Sequence, residues 1–467
     1  MKEKATFIIK IAVVSMVALV LLIPLAMIEN LVDERAKYRL QAMRSVSISW
    51  SDSQTLIGPI LVVPYTKTLS VQEWNEKKRI ETTKTVTQQH YLYLPPESLS
   101  VSSDIITEQR YKGIYTFPVY RTDTRLSGSF KIQGLMALFE QNNIQFRQNP
   151  YLVMGISDPG GIRSDPSLKW NARTVHFESG CPSNVMQSGI HAELPKFTAY
   201  EEGRNIRFEL DLKLQGMGNF QVAPIGRSIT VDYQSNWPHP SFIGPYPTAR
   251  SQIDEKGFKS VWEISHFATN LGETFNTNKA ANFDHLGGQA IGVQLINPVD
   301  VYQITDRSLK YSFLFVALTF VVFFLYEILK QLKIHPVQYG LVGIALALFF
   351  LLLLSLSEHI AFHWAYMIAA TACVGLLTYY VAYVLESLLM AAGFNFLLTA
   401  IYGTLYSLLQ LEDLALLAGS VLLFIVLSII MIITRKFDWY QLSRKGDNFG
   451  QNAQDPPPLP TVGKATF

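Results

Sequence analysis

The sequence predicts a helical membrane protein, one N-terminal plus five C-terminal transmembrane helices, with a large inserted, exported, mainly-β domain of sandwich-like build. Three observations carry that prediction. From Tyr311 to Thr434 the chain is a near-unbroken series of apolar segments, and a spanning helix needs about 20 such residues. Residues 1–28 hold a further apolar run, Ile11–Ile28, behind a basic start of Lys2, Lys4 and Lys10. Between these parts, Ile206, Phe208, Leu210, Leu212 and Leu214 alternate with polar neighbours, the period of a half-buried strand.

The first apolar run is longer than the core of a secretory signal and ends Pro24-Leu-Ala-Met-Ile-Glu-Asn, with no small-residue cleavage pattern. It reads as an uncleaved anchor. The later runs are Tyr311–Leu329, Tyr339–Leu356, Trp364–Leu385, Leu388–Leu409 and Ala415–Thr434. In hydrocarbon every backbone polar group must be paired within the segment, so these are helices. Short loops rich in Lys and Arg stay in the cytoplasm. Lys330 and Lys333 follow the second helix, Arg435, Lys436, Arg444 and Lys445 open the tail, and Ser357–His363 and Gln410–Leu414 carry no basic residue. Six helices with both termini inside satisfy this pattern. Expected divisions are an anchor over 1–28, an exported domain over 29–310, a five-helix bundle over 311–434 and a cytoplasmic tail over 435–467. The tail's Asp455-Pro-Pro-Pro-Leu-Pro460 run is too polar and Pro-rich to fold.

In the exported part, Leu56–Tyr65, Thr83–Leu94, Gly113–Tyr120, Arg125–Ile132, Tyr151–Gly155, Ile206–Leu214, Ser228–Tyr233, Lys259–Ser265 and Ala290–Ile296 read as short antiparallel strands. Gly58-Pro59, Pro95-Pro96 and Asp158-Pro-Gly-Gly161 punctuate them. Ile132–Gln141 is the expected helix inside the domain, and Asp300–Lys310 is expected to run helically into the second span.

The 467-residue chain has a formal charge of +2, and acids and bases nearly balance over Glu29–Lys310. Nucleic-acid binding, which needs a basic stripe, is not expected. Cys181 lies in the exported part and Cys373 in a helix, so no disulfide framework is expected. There is no G-x-S-x-G elbow, P-loop or H-E-x-x-H. No catalytic residue and no cofactor is assigned. Glu327, near Lys330, is expected to snorkel at the cytoplasmic edge.

Two constellations remain. Glu358-His359-Ile-Ala-Phe-His363 places two histidines four apart beside a carboxylate, and Glu412 and Asp413 reach the same side. If the helix continues, His359 and His363 share a face and could hold a metal such as zinc. The plainer reading, preferred here, is polar residues marking where a helix leaves lipid. Trp237-Pro238-His239-Pro240 lies in Ser235–Gly244, a stretch stiffened by its prolines. It is either a binding surface, with Asn270 and Glu273 lining the same face, or a packed corner.

Ser235–Gly244 (SNWPHPSFIG), Asn270–Phe275 (NLGETF), Asp306–Tyr311, Ala317–Phe320, His335–Tyr339 and Leu354–His359 together resemble the CreD family of Gram-negative inner-membrane proteins. Gly58-Pro59 and Gly113-Ile-Tyr115 also fit; the tail beyond about Gly446 does not. The resemblance implies an inner (cytoplasmic) membrane location, one N-terminal helix, a periplasmic domain and a C-terminal bundle. It also implies a part in cell-envelope integrity under envelope stress, with no catalytic residues to carry over. The expected function is non-enzymatic. The partners are inner-membrane lipids and a periplasmic envelope component (protein, glycan or lipid). A lipid-handling or transport role, an enzyme at Glu358, His359 and His363, and a stress sensor are the rival readings.

Overall fold

The computed structural model describes residues 12–75, 80–132, 144–145, 148–182, 186–197, 203–269, 287–295, 301–329, 334–385, 388–411 and 415–435. The expected helix over Ile132–Gln141 and the Pro-rich tail lie essentially outside them. The chain divides into two compact units. One is Arg39–Pro298; the other joins Met1–Tyr38 to Val299–Phe467.

The second unit is helical. Helix α1, Ala12–Trp50, runs 39 residues, about 58 Å at 1.5 Å per residue. It continues well beyond Ile28 because no glycine or proline interrupts the chain between Pro24 and Gly58. Leu21, Leu25, Ile28 and Val32 form one buried stripe at helical spacing, while Met16, Leu19, Val20, Ile23 and Met27 stay exposed. The remaining helices are α2 (Val301–Lys310), α3 (Ser312–Leu329), α4 (Pro336–Ser357), α5 (Phe362–Leu385), α6 (Leu388–Gln410) and α7 (Ala415–Thr434). Gly343 of α4 admits the Leu21 side chain at a point where a Cβ would overlap it, the close approach that small residues permit between membrane helices.

Among the described residues four helices, α1, α4, α5 and α6, are long and apolar enough to cross a membrane, or five if α2 and α3, bent by 46°, count as one span. The apolar stretch of α7, Leu417–Ile429, is shorter. Length and composition thus support several spans but do not by themselves reach the expected six.

Unit Arg39–Pro298 is strand-built. Its strands are β1 (Gln54–Asn75), β2 (Ile80–Leu94), β3 (Ser98–Lys112), β4 (Tyr115–Lys131), β5 (Ile144–Gln145), β6 (Tyr151–Ile156), β7 (Ser167–Trp170), β8 (Arg173–His176) and β9 (Glu178–Ser179). They continue with β10 (Gly189–Glu193), β11 (Asn205–Met217), β12 (Asn219–Ala223), β13 (Ser228–Ser235), β14 (Pro240–Ile243), β15 (Arg250–Asp254), β16 (Gly257–Ser265) and β17 (Ile291–Leu295). One sheet follows the order β14-β17-β12-β1-β6-β10-β9, with β2 and β5 added on β1; the other follows β15-β16-β13-β3-β4-β11-β7-β8. Their inner faces share one core, with Leu56, Leu152, Phe220 and Val293 from the first sheet and Val101, Leu126, Leu210 and Trp262 from the second. That shared core makes it a sandwich.

Several expectations change. Gly58-Pro59 does not separate strands; it sits inside β1, where the pairing with β6 shifts register between Ile57 and Ile60, as a bulge does. Strands expected over Gly113–Tyr120 and Arg125–Ile132 are one strand, β4, paired residue for residue with β3 from Lys112↔Tyr115 to Ser98↔Ser129. The sandwich is also mixed rather than antiparallel throughout: β1 pairs β12 in parallel, and β13 pairs β3 in parallel.

Where α1 ends, Ser51 takes φ 115° and the chain turns into β1. A polar network fixes this turn. The Ser51 hydroxyl donates to Asp158 Oδ2 at 2.6 Å and the Asp52 N–H to the same oxygen at 3.1 Å, while the Gly160 N–H reaches Oδ1 at 3.0 Å. The fully buried Gln54 donates through Nε2 to Ser51 Oγ (2.9 Å), the Asp158 carbonyl (2.8 Å) and the Gln215 carbonyl (3.1 Å). Gly161 is required here because a Cβ would collide with the Gln54 amide. Just before the turn, the Arg110 and Arg121 guanidiniums lie 4.4 Å and 5.2 Å from the Trp50 ring centroid, within cation–π reach.

The Ser51 hydroxyl, with the two backbone donors, holds the Asp158 carboxyl below its ordinary value of 3.8. A depressed carboxylate stabilises the fold above its unfolded pKa, and that contribution fades as pH falls through the folded pKa. Asp158→Asn should therefore destabilise the protein at neutral pH and flatten the loss of stability below pH 3.8, measured by denaturation in detergent across pH. A second pair of variants separates bonded from unbonded core hydroxyls. The Tyr120 hydroxyl donates to the Asn219 carbonyl at 2.6 Å and accepts the Gln54 N–H at 3.2 Å; the Tyr233 hydroxyl is buried with no hydrogen-bond partner among the described residues. Tyr120→Phe should cost about 1–3 kcal/mol and Tyr233→Phe nothing or less than nothing, read from unfolding midpoints.

Candidate functional site

The Trp237 segment carries the chain from one sheet to the other. β13 ends at Ser235 in the second sheet, and β14 begins at Pro240, pairing Leu295 of β17 in the first. Asn236 replaces a strand partner. Its Oδ1 accepts the Thr107 N–H at 2.8 Å and the Thr107 hydroxyl at 2.9 Å, and its amide donates to the Thr107 carbonyl at 3.3 Å. The Trp237 indole packs on the sandwich core, donates Nε1 to the His239 carbonyl at 3.0 Å and meets the His239 ring edge-to-face at 6.3 Å. Trp237 is thus a corner-forming residue, Pro238 is half-buried and the His239 imidazole is exposed. Asn270 and Glu273 lie outside the described residues.

Beside this corner is a cleft of about 290 Å³ lined by Gln234, Ser235, Gln252, Asp254, Lys256, Gly257, Phe258 and Lys259. It follows from register. Gln234 pairs Lys259, and Lys259 pairs Gln252, so three outward side chains lie in one row across β13, β16 and β15. The β15–β16 turn closes the cleft: the Lys256 N–H donates to Asp254 Oδ1 at 2.8 Å. Gly257, at φ +142°, passes so near the Ser235 carbonyl that a Cβ there would collide with it. Sequence reading missed this site, since its signal is the pairing of β13, β15 and β16 and not a contiguous motif.

In the helical unit, α4 stops at Ser357 and Glu358 is its C-cap; α5 begins only at Phe362. The break removes the common helix face expected for His359 and His363. His359 Nδ1 lies 3.1 Å from the Ser355 carbonyl, His363 packs on Trp364 with ring centroids 5.2 Å apart, and Glu412 and Asp413 lie outside the described residues. Among the described residues no group of three His, Cys, Asp or Glu could hold a metal. Glu358 instead turns inward, its side chain 8% exposed, accepting the Tyr302 hydroxyl at 3.0 Å and lying 3.8 Å from Arg35 Nε. This ties α1, α2 and α4.

Glu327 does not snorkel. It is 4% exposed, accepting the Tyr339 hydroxyl at 2.8 Å and the Ile334 N–H at 3.0 Å, because the turn into α4 offers it donors. Deeper in the bundle, the Tyr366 hydroxyl donates to the Tyr402 carbonyl at 2.6 Å, and Cys373 Sγ lies 3.2 Å from the Tyr402 hydroxyl. A cavity lined by Phe315, Thr319, Phe349 and Tyr402 holds only about 10 Å³, room for one water at most.

The family described as "Inner membrane protein CreD" matches residues 6–440. The chain is 35% identical over 425 residues to the inner membrane protein CreD of Escherichia coli K12, covering 91% of this chain and 92% of that relative. Among solved structures, an M1 zinc metallopeptidase from Deinococcus radiodurans aligns at 10% identity, over 36% of this chain and 38% of the peptidase, with a TM-score of 0.20, too low to relate the folds.

Glu358→Ala removes the charged acceptor of the Tyr302 hydroxyl and the carboxylate beside Arg35, and should cost about 1.5–3 kcal/mol, the worth of a hydrogen bond to a charged group, while Glu358→Gln, which keeps an acceptor, should lose less. Thermal unfolding of the two variants in the same detergent checks the order.

Proposed function

The chain belongs to the CreD family of inner membrane proteins, and from that premise we propose that its strand-built unit stands in the periplasm and holds an envelope component, without catalysing a reaction. The observation that carries this reading is the cleft beside the Trp237 corner. A sandwich whose core is closed by Trp262, Tyr233 and Phe258 presents a concave, polar surface at one end of the second sheet, and rigid scaffolds commonly display binding residues this way. The helical unit supplies the membrane anchor. The support for envelope integrity is family membership together with this surface.

The test has two parts. Lys256→Cys in a Cys181→Ser background should react with a membrane-impermeant maleimide in cells whose outer membrane is permeabilised. Reaction only after the inner membrane is broken would reverse the orientation. Cys181 itself should label slowly, because burial pushes its thiol pKa up and the thiolate is the reactive form. A photo-crosslinking residue at His239 should then yield a discrete envelope adduct that the same residue placed at exposed Glu263 does not. Identical patterns from both positions would remove the corner and its cleft from the function.

A further inference from the structure

The cleft's chemistry specifies a ligand class more narrowly than an envelope component. Its rim carries two ammonium groups, Lys256 and Lys259, and among the described residues neither has a carboxylate within ion-pair distance. The carboxylate that shares the cleft, Asp254, has Oδ1 committed to the Lys256 N–H at 2.8 Å, so it is tied into the turn. Gln234 and Gln252 flank Lys259 in the cross-strand row, and Ser235 adds a hydroxyl. An amide side chain both donates and accepts, which suits neighbouring hydroxyls of a ring, and an ammonium recognises a carboxylate or phosphate as a point charge. Phe258, the aromatic residue of the lining, is 3% exposed, so no ring face is free to stack a nucleobase. The volume, about 290 Å³, lies at the small end of ligand sites and fits one or two rings.

We propose that this cleft binds an anionic sugar, a hydroxylated ring bearing a carboxylate or a phosphate. Lys256 and Lys259 meet the anion, and Gln234, Gln252 and Ser235 meet the hydroxyls. The assignment rests on the reading of the strand-built unit as a binding domain for the envelope, and it adds the chemistry of what is bound.

The experiment uses the full-length protein in nanodiscs, titrated by calorimetry with three probes: N-acetylmuramic acid, N-acetylglucosamine 1-phosphate and neutral N-acetylglucosamine. At least one anionic probe should bind tenfold or more tightly than the neutral sugar. Its affinity should fall as sodium chloride rises from 50 to 500 mM, because exposed charges are screened. Lys256→Gln with Lys259→Gln should abolish the preference for the anion, and Lys256→Arg with Lys259→Arg should keep it. The relative strengths of the two anionic probes tell carboxylate from phosphate recognition. Equal affinity for neutral and anionic sugars, or binding by the double glutamine variant equal to that of the parent, overturns the proposal. A discrete adduct from His239 with no binding of either anionic probe overturns the sugar assignment and leaves the envelope-binding reading intact. Loss of both takes down the two together.

Discussion

The strand-built unit depends on the polar knot at which a helix becomes a strand. Ser51, Gln54 and Asp158 meet where α1 hands over to β1, and β1 is the strand on which β2, β5, β6 and β12 are built. Buried polar groups stabilise only when nearly every donor and acceptor is satisfied. Gln54 meets that condition with three acceptors in reach of its two amide N–H bonds. Asp158 sits at the start of a short helical turn that presents its backbone N–H groups, Gly160 among them. The knot fixes the register in which the first sheet starts, and register decides which face of every later strand is apolar.

From that start the sandwich follows ordinary rules. β13 reads exposed and buried in strict alternation along its length, and β11 does nearly the same. The inward set fills the shared core, and the outward set of the second sheet is mostly polar, with Ile106, Tyr111 and Ile253 as exposed exceptions. The helical unit instead sets its buried acids against local donors. Glu327 and Glu358 each accept a tyrosine hydroxyl, an arrangement in which a carboxylate away from water keeps its hydrogen bonds. These tyrosines, Tyr339 and Tyr302, sit on helices whose apolar periodicity gave no hint of the role.

The general architecture was legible in the sequence for clear physical reasons. Long apolar runs have few alternatives to helices, and the alternation from Ile206 to Leu214 leaves a strand as the natural reading. β3 escaped notice because Ser98, Ser100, Ser102 and Ser103 resemble loop chemistry, although Leu99, Val101, Ser103 and Ile105 alternate as its buried face. Asp158-Pro-Gly-Gly161 was visible as a turn, but its partners Ser51 and Gln54 lie over a hundred residues away, beyond what local pattern carries. The shared face of the histidine pair was conditional on a helix running through it, and the local pattern did not show that the helix stops at Ser357. The cleft was illegible because it is made by three strands side by side, and only their pairing brings Gln234, Gln252 and Lys259 into one row.

Pro240 has a meaning beyond stiffening its loop. It opens β14, which stands at the outer border of the first sheet, and proline has no N–H to offer an incoming strand. At the border of the second sheet, all five residues of β15 are exposed, with charged Arg250 and Asp254 at its ends. These two edges, one on each sheet, are therefore poorer templates for a foreign backbone than an uncharged strand with every N–H in place. The proline that turns the corner thus also withholds one hydrogen-bond donor from any strand approaching the β14 edge.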